Sequence, residues 1–223
     1  MFLKILANDN AENILYTTCF AEHDAAEYWS LLSFAEQQAA QKKANLYLRD
    51  QAILSYALRR NKLAAFLNTD PRQLIFHLTA NKKPMLVDAQ LHFNVSHTEH
   101  YFALLINKHH AVGVDIESLQ RSVDFLALAK RFFSVTEIKF LEQAADKKNI
   151  FFRLWTAKEA LLKASGVGLE KLAECALFVD AQGHLQTTAK DFQAWQLETL
   201  TFYDELLLTA AIPRGQCLTH CFF

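Results

Sequence analysis

The chain has 223 residues, 52% of them apolar, with 23 Lys and Arg against 24 Asp and Glu for a net charge of −1. That apolar share can fill the core of one domain or of two small fused halves, and the balanced charge excludes a global basic field of the kind nucleic acid selects. No apolar run approaches the roughly 20 residues that span a bilayer, and MFLKILANDN lacks the build of a leader, so no membrane association and a cytoplasmic location are expected.

In chain order, FLKILAN predicts a strand. From about Ser30 to Leu67 the pattern is helical, read as two helices meeting near Lys43. Asn68-Thr69-Asp70-Pro71 ends it, because Pro71 cannot continue a helix and drives Asp70 to an extended form. LIFHL, a turn at ANKKP, LHFNVSH and YFALLIN follow as strand material, and AVGVDIE reads as a short buried strand rich in β-branched residues. SVDFLALAKRFF predicts a helix. Ser134 and Glu137 then form an S-x-x-E capping box, with Phe133 and Ile138 placed to staple it. FFRLWTAKEALLKASG predicts a strong helix ended by Gly166, and ALFVDAQGHLQTT a hairpin turning near Gln182-Gly183. WQLETLTF and ELLLTAAIP predict the last long strands. Cys19, Cys175, Cys217 and Cys221 form no CxxC pair and read as reduced thiols, the final ones as small buried side chains of a terminal strand that also carries His220.

The order hints at duplication. LRDQAILSYAL resembles TAKEALLKASG, and each leads to a turn and hydrophobic strands. Two α+β halves of about 110 residues would then meet near residues 108–112, where ligand sites often form.

Three segments can carry chemistry. In Gly113-Val114-Asp115-Ile116-Glu117 the period of a strand puts Asp115 and Glu117 on one face and Val114 and Ile116 in the core. Two carboxylates so close repel, and a hard divalent cation shared with substrate phosphates resolves the repulsion; a bare D-x-E is otherwise a solvated strand end. On a helix, Trp155, Glu159 and Lys163 share one face, with Lys158 about 100° round from Glu159, near enough to flank an anion. The plainer reading is a surface Glu–Lys pair. Asn94-Val95-Ser96-His97 closes a strand, where His97 and Ser96 could contact a phosphate. Upstream, Lys42, Lys43, Arg49, Arg59 and Arg60, then Lys82-Lys83-Pro84 in a turn, form a basic set, most of it expected on a solvated helix face. GxxxxGK[ST] and GxSxG are both missing, which argues against a P-loop and an α/β-hydrolase.

Taken together, FNVSH, VGVDIE and FFRLWTAKEALLKASGVGL resemble, in order and spacing, the N-x-S-H, G-[VI]-D-[IVL]-E and W-[ST]-x-K-E-[AS]-x-x-K segments of the 4'-phosphopantetheinyl transferase superfamily. The length is similar to the Sfp-type branch of two fused halves, and Trp155 with Lys158-Glu159-Ala160 resembles its W/KEA subgroup. The resemblance implies an α+β fold, pseudo-duplicated, each half a small mostly antiparallel sheet packed on helices. Residues 1–109 would form the half on the coenzyme A adenosine and 3'-phosphate side, residues 110–223 the half with the metal-binding and catalytic motifs, and the active site would lie between them. It further implies transfer of phosphopantetheine from coenzyme A to a serine of an acyl or peptidyl carrier protein by a monomer, with Mg²⁺ or Mn²⁺. Asp115, Glu117 and Glu159 would hold the metal, with Glu159 also the general base. Lys158 and Lys163 would flank the coenzyme A phosphates in a catalytic role. Ser96 and His97 match residues that hold the 3'-phosphoadenosine end, Lys83 and Pro84 match a Gly-Lys-Pro turn, and Lys42, Lys43 and Arg49 remain of an upstream basic pattern. The family's turn glycine is Lys82 here. A Mg²⁺-dependent phosphoester hydrolase and a catalytically silent carrier-binding module are the alternatives.

Overall fold

The computed structural model describes residues 12–87, 91–202 and 205–223; the strand expected over FLKILAN lies outside them. β1 (Asn13–Cys19) comes first, then helices α1 (Ala25–Tyr28), α2 (Phe34–Gln41) and α3 (Leu46–Leu67). Five strands follow: β2 (Phe76–Leu78), β3 (Pro84–Leu86), β4 (His92–His97), β5 (Tyr101–Asn107) and β6 (Gly113–Ser118). The second run of helices is α4 (Phe125–Phe132), α5 (Val135–Gln143) and α6 (Lys147–Ser165). The chain ends in β7 (Leu177–Val179), β8 (Leu185–Thr187), β9 (Trp195–Phe202), β10 (Leu206–Pro213) and β11 (Leu218–Phe222).

Local chemistry sets these boundaries. The helical stretch breaks between Gln41 and Leu46, where Asn45 caps α3 by accepting from Leu48 N at 2.9 Å. At its far end Asn68 takes the left-handed conformation (φ 51°) that terminates helices, just ahead of Pro71. Both Ser33 with Glu36 and Ser134 with Glu137 form complete capping boxes, and Gly166 (φ 78°) closes α6.

One sheet runs β11-β1-β5-β4 and a second runs β6-β10-β9, with β2-β3 and β7-β8 as separate hairpins. Strand β5 explains the first layer: Phe102, Leu104 and Ile106 point into a core under α3, while Ala103 and Leu105 point the other way. A strand buried on both faces reads as an unbroken apolar run, as FALLI does. Those second residues meet Val114, Ile116, Leu208, Ala210 and Ile212 of the other sheet in a shared core. A third core lies under α6. The fold is therefore α+β, two small sheets back to back, each with its own long helix outside.

Three features depart from expectation. β1, from NILYTTC, was not anticipated, and β11 returns from the end of the chain to pair with it in parallel. Cys217 precedes β11 and is exposed, and Cys221, on this edge strand, is half-buried instead of enclosed; all four cysteines are free thiols. Arg59 and Arg60, read as solvated, are buried against Glu36 at 2.5 and 2.7 Å. Arg60 also donates to the carbonyls of Pro71 and Leu74, tying down the turn after α3.

Candidate active site

Strand β6 is an edge of its sheet, and its free N–H groups face β4. Asn94 Oδ1 accepts from Val114 N at 2.9 Å and Ser96 Oγ from Ile116 N at 3.3 Å. Two side chains two residues apart on β4 thus replace a ladder of backbone bonds and join the two sheets along this seam. Asn94 was not singled out as functional; its position two residues before Ser96 was the available signal.

The opposite face of β6 packs on α6 at very short range. A Cβ added to Gly113 would sit 2.0 Å from Ala160 O and 2.5 Å from Ala164 N, so only glycine permits this approach. The closeness brings Asp115 to the last turn of α6. Lys163 Nζ donates to Asp115 Oδ1 at 2.6 Å, to Ser96 Oγ at 3.1 Å and to Val114 O at 3.2 Å. Ser96 Oγ donates in turn to Asp115 Oδ1 at 2.9 Å. Asp115 Oδ2 is buried with no hydrogen-bond partner among the described residues.

Glu159 sits one turn before Lys163. Burial, then the charges of Asp115 and Glu117, push its carboxyl up to about 7 against the pull of Lys163. Glu117 is likewise raised by burial and by Asp115, while Arg121 Nη1, at 2.5 Å from its Oε1, opposes the shift. Arg121 was not anticipated. The three carboxylates are therefore close enough to feel one another. Among the described residues no group of three or more His, Cys, Asp or Glu stands at metal-ligand spacing; Lys163 draws Asp115 Oδ1 one way and Arg121 draws Glu117 another. The orphaned Oδ2, beside two carboxyls held above their usual range, nevertheless fits a divalent cation, which supplies that oxygen a partner and relieves the repulsion.

The β2–β3 turn closes one side. Asn81 Nδ2 donates to Gly166 O at 2.8 Å, and Lys83 Nζ to Lys163 O at 2.5 Å and Val112 O at 3.4 Å. A cation and an amide thereby satisfy carbonyls left open at the end of α6. Burial and the neighbouring Lys163 lower the Lys83 ammonium to about 8. Lys82, at the position of the family's glycine, keeps the turn by adopting φ 59° itself, a conformation a side chain occupies at a cost of about 1–2 kcal/mol. Pro84 opens β3, paired with Leu78.

His97 ends β4 with its imidazole edge-on to Phe20 at 6.2 Å, and burial first, then Lys163 and Lys43, lower its pKa. Tyr47 donates to Glu99 O at 2.8 Å, which binds the start of α3 to the turn after His97 and keeps Lys43 nearby. Lys42 is exposed, and among the described residues no hydrogen bond or ion pair joins it to the carboxylates. Arg49 pairs with Asp50 at 3.4 Å and lines a separate cleft of about 450 Å³ with Trp29, Gln41 and Ile53.

Lys158 requires a correction. Its side chain is fully enclosed, with Nζ 3.0 Å from Glu137 Oε1 and donating to Leu172 O and Cys175 O at 3.0 and 2.6 Å. The step of one residue along α6 turns it away from Glu159 into the core, and its three donors are used there. It is not available to flank a phosphate. Trp155, on the face of Glu159, stacks on Phe151 and meets Phe132 edge-on.

Residues 111–211 match the model of the 4'-phosphopantetheinyl transferase superfamily. The chain is 37% identical over 161 residues to the 4'-phosphopantetheinyl transferase HetI of Nostoc sp., covering 69% of this chain and 66% of that protein. It is 34% identical over 147 residues to a putative 4'-phosphopantetheinyl transferase of Synechocystis sp., covering 64% and 60%. To the 4'-phosphopantetheinyl transferase gsp of Aneurinibacillus migulanus it is 33% identical over 142 residues, covering 63% and 58%. The matches thus span about three fifths to two thirds of these relatives' length.

Proposed function

The chain belongs to the 4'-phosphopantetheinyl transferase superfamily, in its Sfp-type branch, and from that premise we propose that it moves the 4'-phosphopantetheine arm of coenzyme A onto a serine of an acyl or peptidyl carrier protein, releasing 3',5'-ADP. The observation that carries this reading is the meeting of Asp115, Glu159 and Lys163 where β6 packs on α6.

In the reaction the serine oxygen bonds to the β-phosphorus of coenzyme A, the bridging P–O bond breaks, and 3',5'-ADP departs with the electron pair. Glu159 takes the serine proton, directly or through one water, as a carboxylate placed where α6 meets β6. Asp115, Glu117 and Glu159 would hold Mg²⁺ or Mn²⁺, which neutralises diphosphate charge when bound. Lys163 adds a positive charge that can follow the leaving oxygen, and Lys83 stands behind it against the same helix end. Ser96 fixes the direction of Asp115 from across the seam. His97, with Lys43 in electrostatic range, is the group suited to the 3'-phosphate. Lys42, Arg49 and Pro84 take no part in this scheme.

Both halves in one chain supply the site, which supports action as a monomer, and we place the reaction in the cytoplasm. Among the described residues no helix is long and apolar enough to cross a membrane. The test is mass spectrometry of an apo carrier protein incubated with the chain, coenzyme A and Mg²⁺. A gain of one phosphopantetheine is expected. Release of 3',5'-ADP without carrier present and without mass gain would instead make the protein a hydrolase, and carrier binding without either would make it a silent module.

A further inference from the structure

Lys163 is held at both ends. Its carbonyl accepts from Lys83 Nζ at 2.5 Å, and its ammonium spends three donors on Asp115 Oδ1, Ser96 Oγ and Val114 O at 2.6, 3.1 and 3.2 Å. An ammonium has three N–H groups, so in this arrangement none is left for a phosphate. The positive charge also reaches Glu159, whose carboxyl it stabilises in the charged form. One side chain thus supplies the counter-charge for Asp115 and Glu159, while Arg121 serves Glu117.

A divalent cation taken up by Asp115 has to share that carboxylate with an ammonium already in contact with it, and like charges so close repel strongly. Lys163 has somewhere else to go. Its side chain is 28% exposed, so an anion can reach it, and a flexible four-carbon stem lets the ammonium change partners without moving the helix. A diphosphate offers it a stronger partner than Asp115 alone and frees Oδ1 at the same moment.

We propose that Lys163 is an internal counter-ion that keeps the carboxylate site closed to free divalent ions until a diphosphate draws its ammonium away, so that cation and diphosphate bind with positive coupling. The identity of the diphosphate as coenzyme A rests on the transferase reading; the competition for Asp115 does not. Coupling is reciprocal, so the cation raises affinity for the diphosphate by the same factor.

The test titrates Mn²⁺ alone into the purified full chain, following free Mn²⁺ by electron paramagnetic resonance. Lys163→Met keeps the length of the side chain and removes its charge. The variant is expected to bind Mn²⁺ about ten-fold more tightly than the wild type, and coenzyme A is expected to tighten Mn²⁺ binding less in the variant than in the wild type. Equal or weaker Mn²⁺ binding by the variant, or equal tightening in both, overturns the proposal.

Should Lys163→Met not fold, the ¹⁵N signal of the Lys163 ammonium in the wild type decides. It is expected to persist on adding Mg²⁺ alone and to shift on adding Mg²⁺ with coenzyme A. A shift with Mg²⁺ alone, or none with both, overturns the inference. Phosphopantetheine transfer to an apo carrier is scored separately on the same wild-type protein. Transfer without the Mn²⁺ difference removes the counter-ion role and leaves the transferase; the Mn²⁺ difference without transfer does the reverse.

Discussion

Lys158 and Glu137 form an ion pair, Nζ to Oε1 3.0 Å, in which both side chains are closed off from solvent. Glu137 is shared three ways: it also accepts from Ser134 N at 2.6 Å as the capping box of α5 and from Leu177 N at 2.8 Å at the start of β7. Lys158 spends its other donors on the 172–175 loop. The pair therefore fixes the rotation of α6 and, one residue on, the direction in which Glu159 points.

Lys158→Met leaves Glu137 without its counter-ion in the core, and stability is expected to fall by about 3–5 kcal/mol in urea unfolding. Adding Glu137→Leu removes the stranded carboxylate but also leaves Ser134 N and Leu177 N without an acceptor, so only a small part of that loss should return. A Lys158→Met protein with unchanged stability and a raised KM for coenzyme A would return Lys158 to the phosphate.

Gly113→Ala drives a methyl into the backbone of α6 at Ala160 and Ala164, where the helix cannot yield locally. Separation of β6 from α6 is expected, with about 1–3 kcal/mol lost as for overpacking elsewhere and transfer falling more than stability. Denaturant unfolding and carrier modification, measured on the same samples, check both. Full activity in a destabilised variant would show that the spacing of β6 and α6 is not critical to the site.

Glu159→Gln removes the proposed base, and kcat is expected to drop at least about 100-fold with the KM for coenzyme A little changed. Its stability profile provides an independent reading. A carboxyl raised to about 7 in the fold favours the folded state below its ordinary value of 4.5 and loses that contribution as pH climbs through about 7. In metal-free buffer the wild type should weaken between about pH 4.5 and 7 more than Glu159→Gln does. Parallel profiles would mean that Glu159 is not raised.

His97→Ala should raise KM for coenzyme A several-fold and leave KM for dephospho-coenzyme A nearly unchanged, because only the former carries a 3'-phosphate. Steady-state kinetics with both substrates decides. Equal increases would assign the imidazole to packing against Phe20.

Much of this protein was legible in its residues because the signals are local. The capping box at Ser134, the stop at Asn68–Pro71, the hairpin at Gly183 and the alternation of Val114, Asp115, Ile116 and Glu117 all depend on neighbours within a few positions. Arg59 and Arg60, by contrast, read as a solvated face because their partner, Glu36, lies more than twenty residues away, beyond any local pattern. The same holds for Asn94, whose role exists only because the edge of β6 arrives beside it.

The order of motifs, the strand-borne carboxylates and the helix-borne Glu159 and Lys163 were set by sequence alone, since strand and helix periods dictate which side chains share a face. Which lysine of α6 meets Asp115 was decided only by packing. Lys158 and Lys163 are lysines five residues apart on one helix, yet β6 approaches one side of α6 through Gly113 while α5 and the 172–175 loop cover the other. An ammonium goes to whichever acceptors the neighbouring elements bring, and only the tertiary fold brings them.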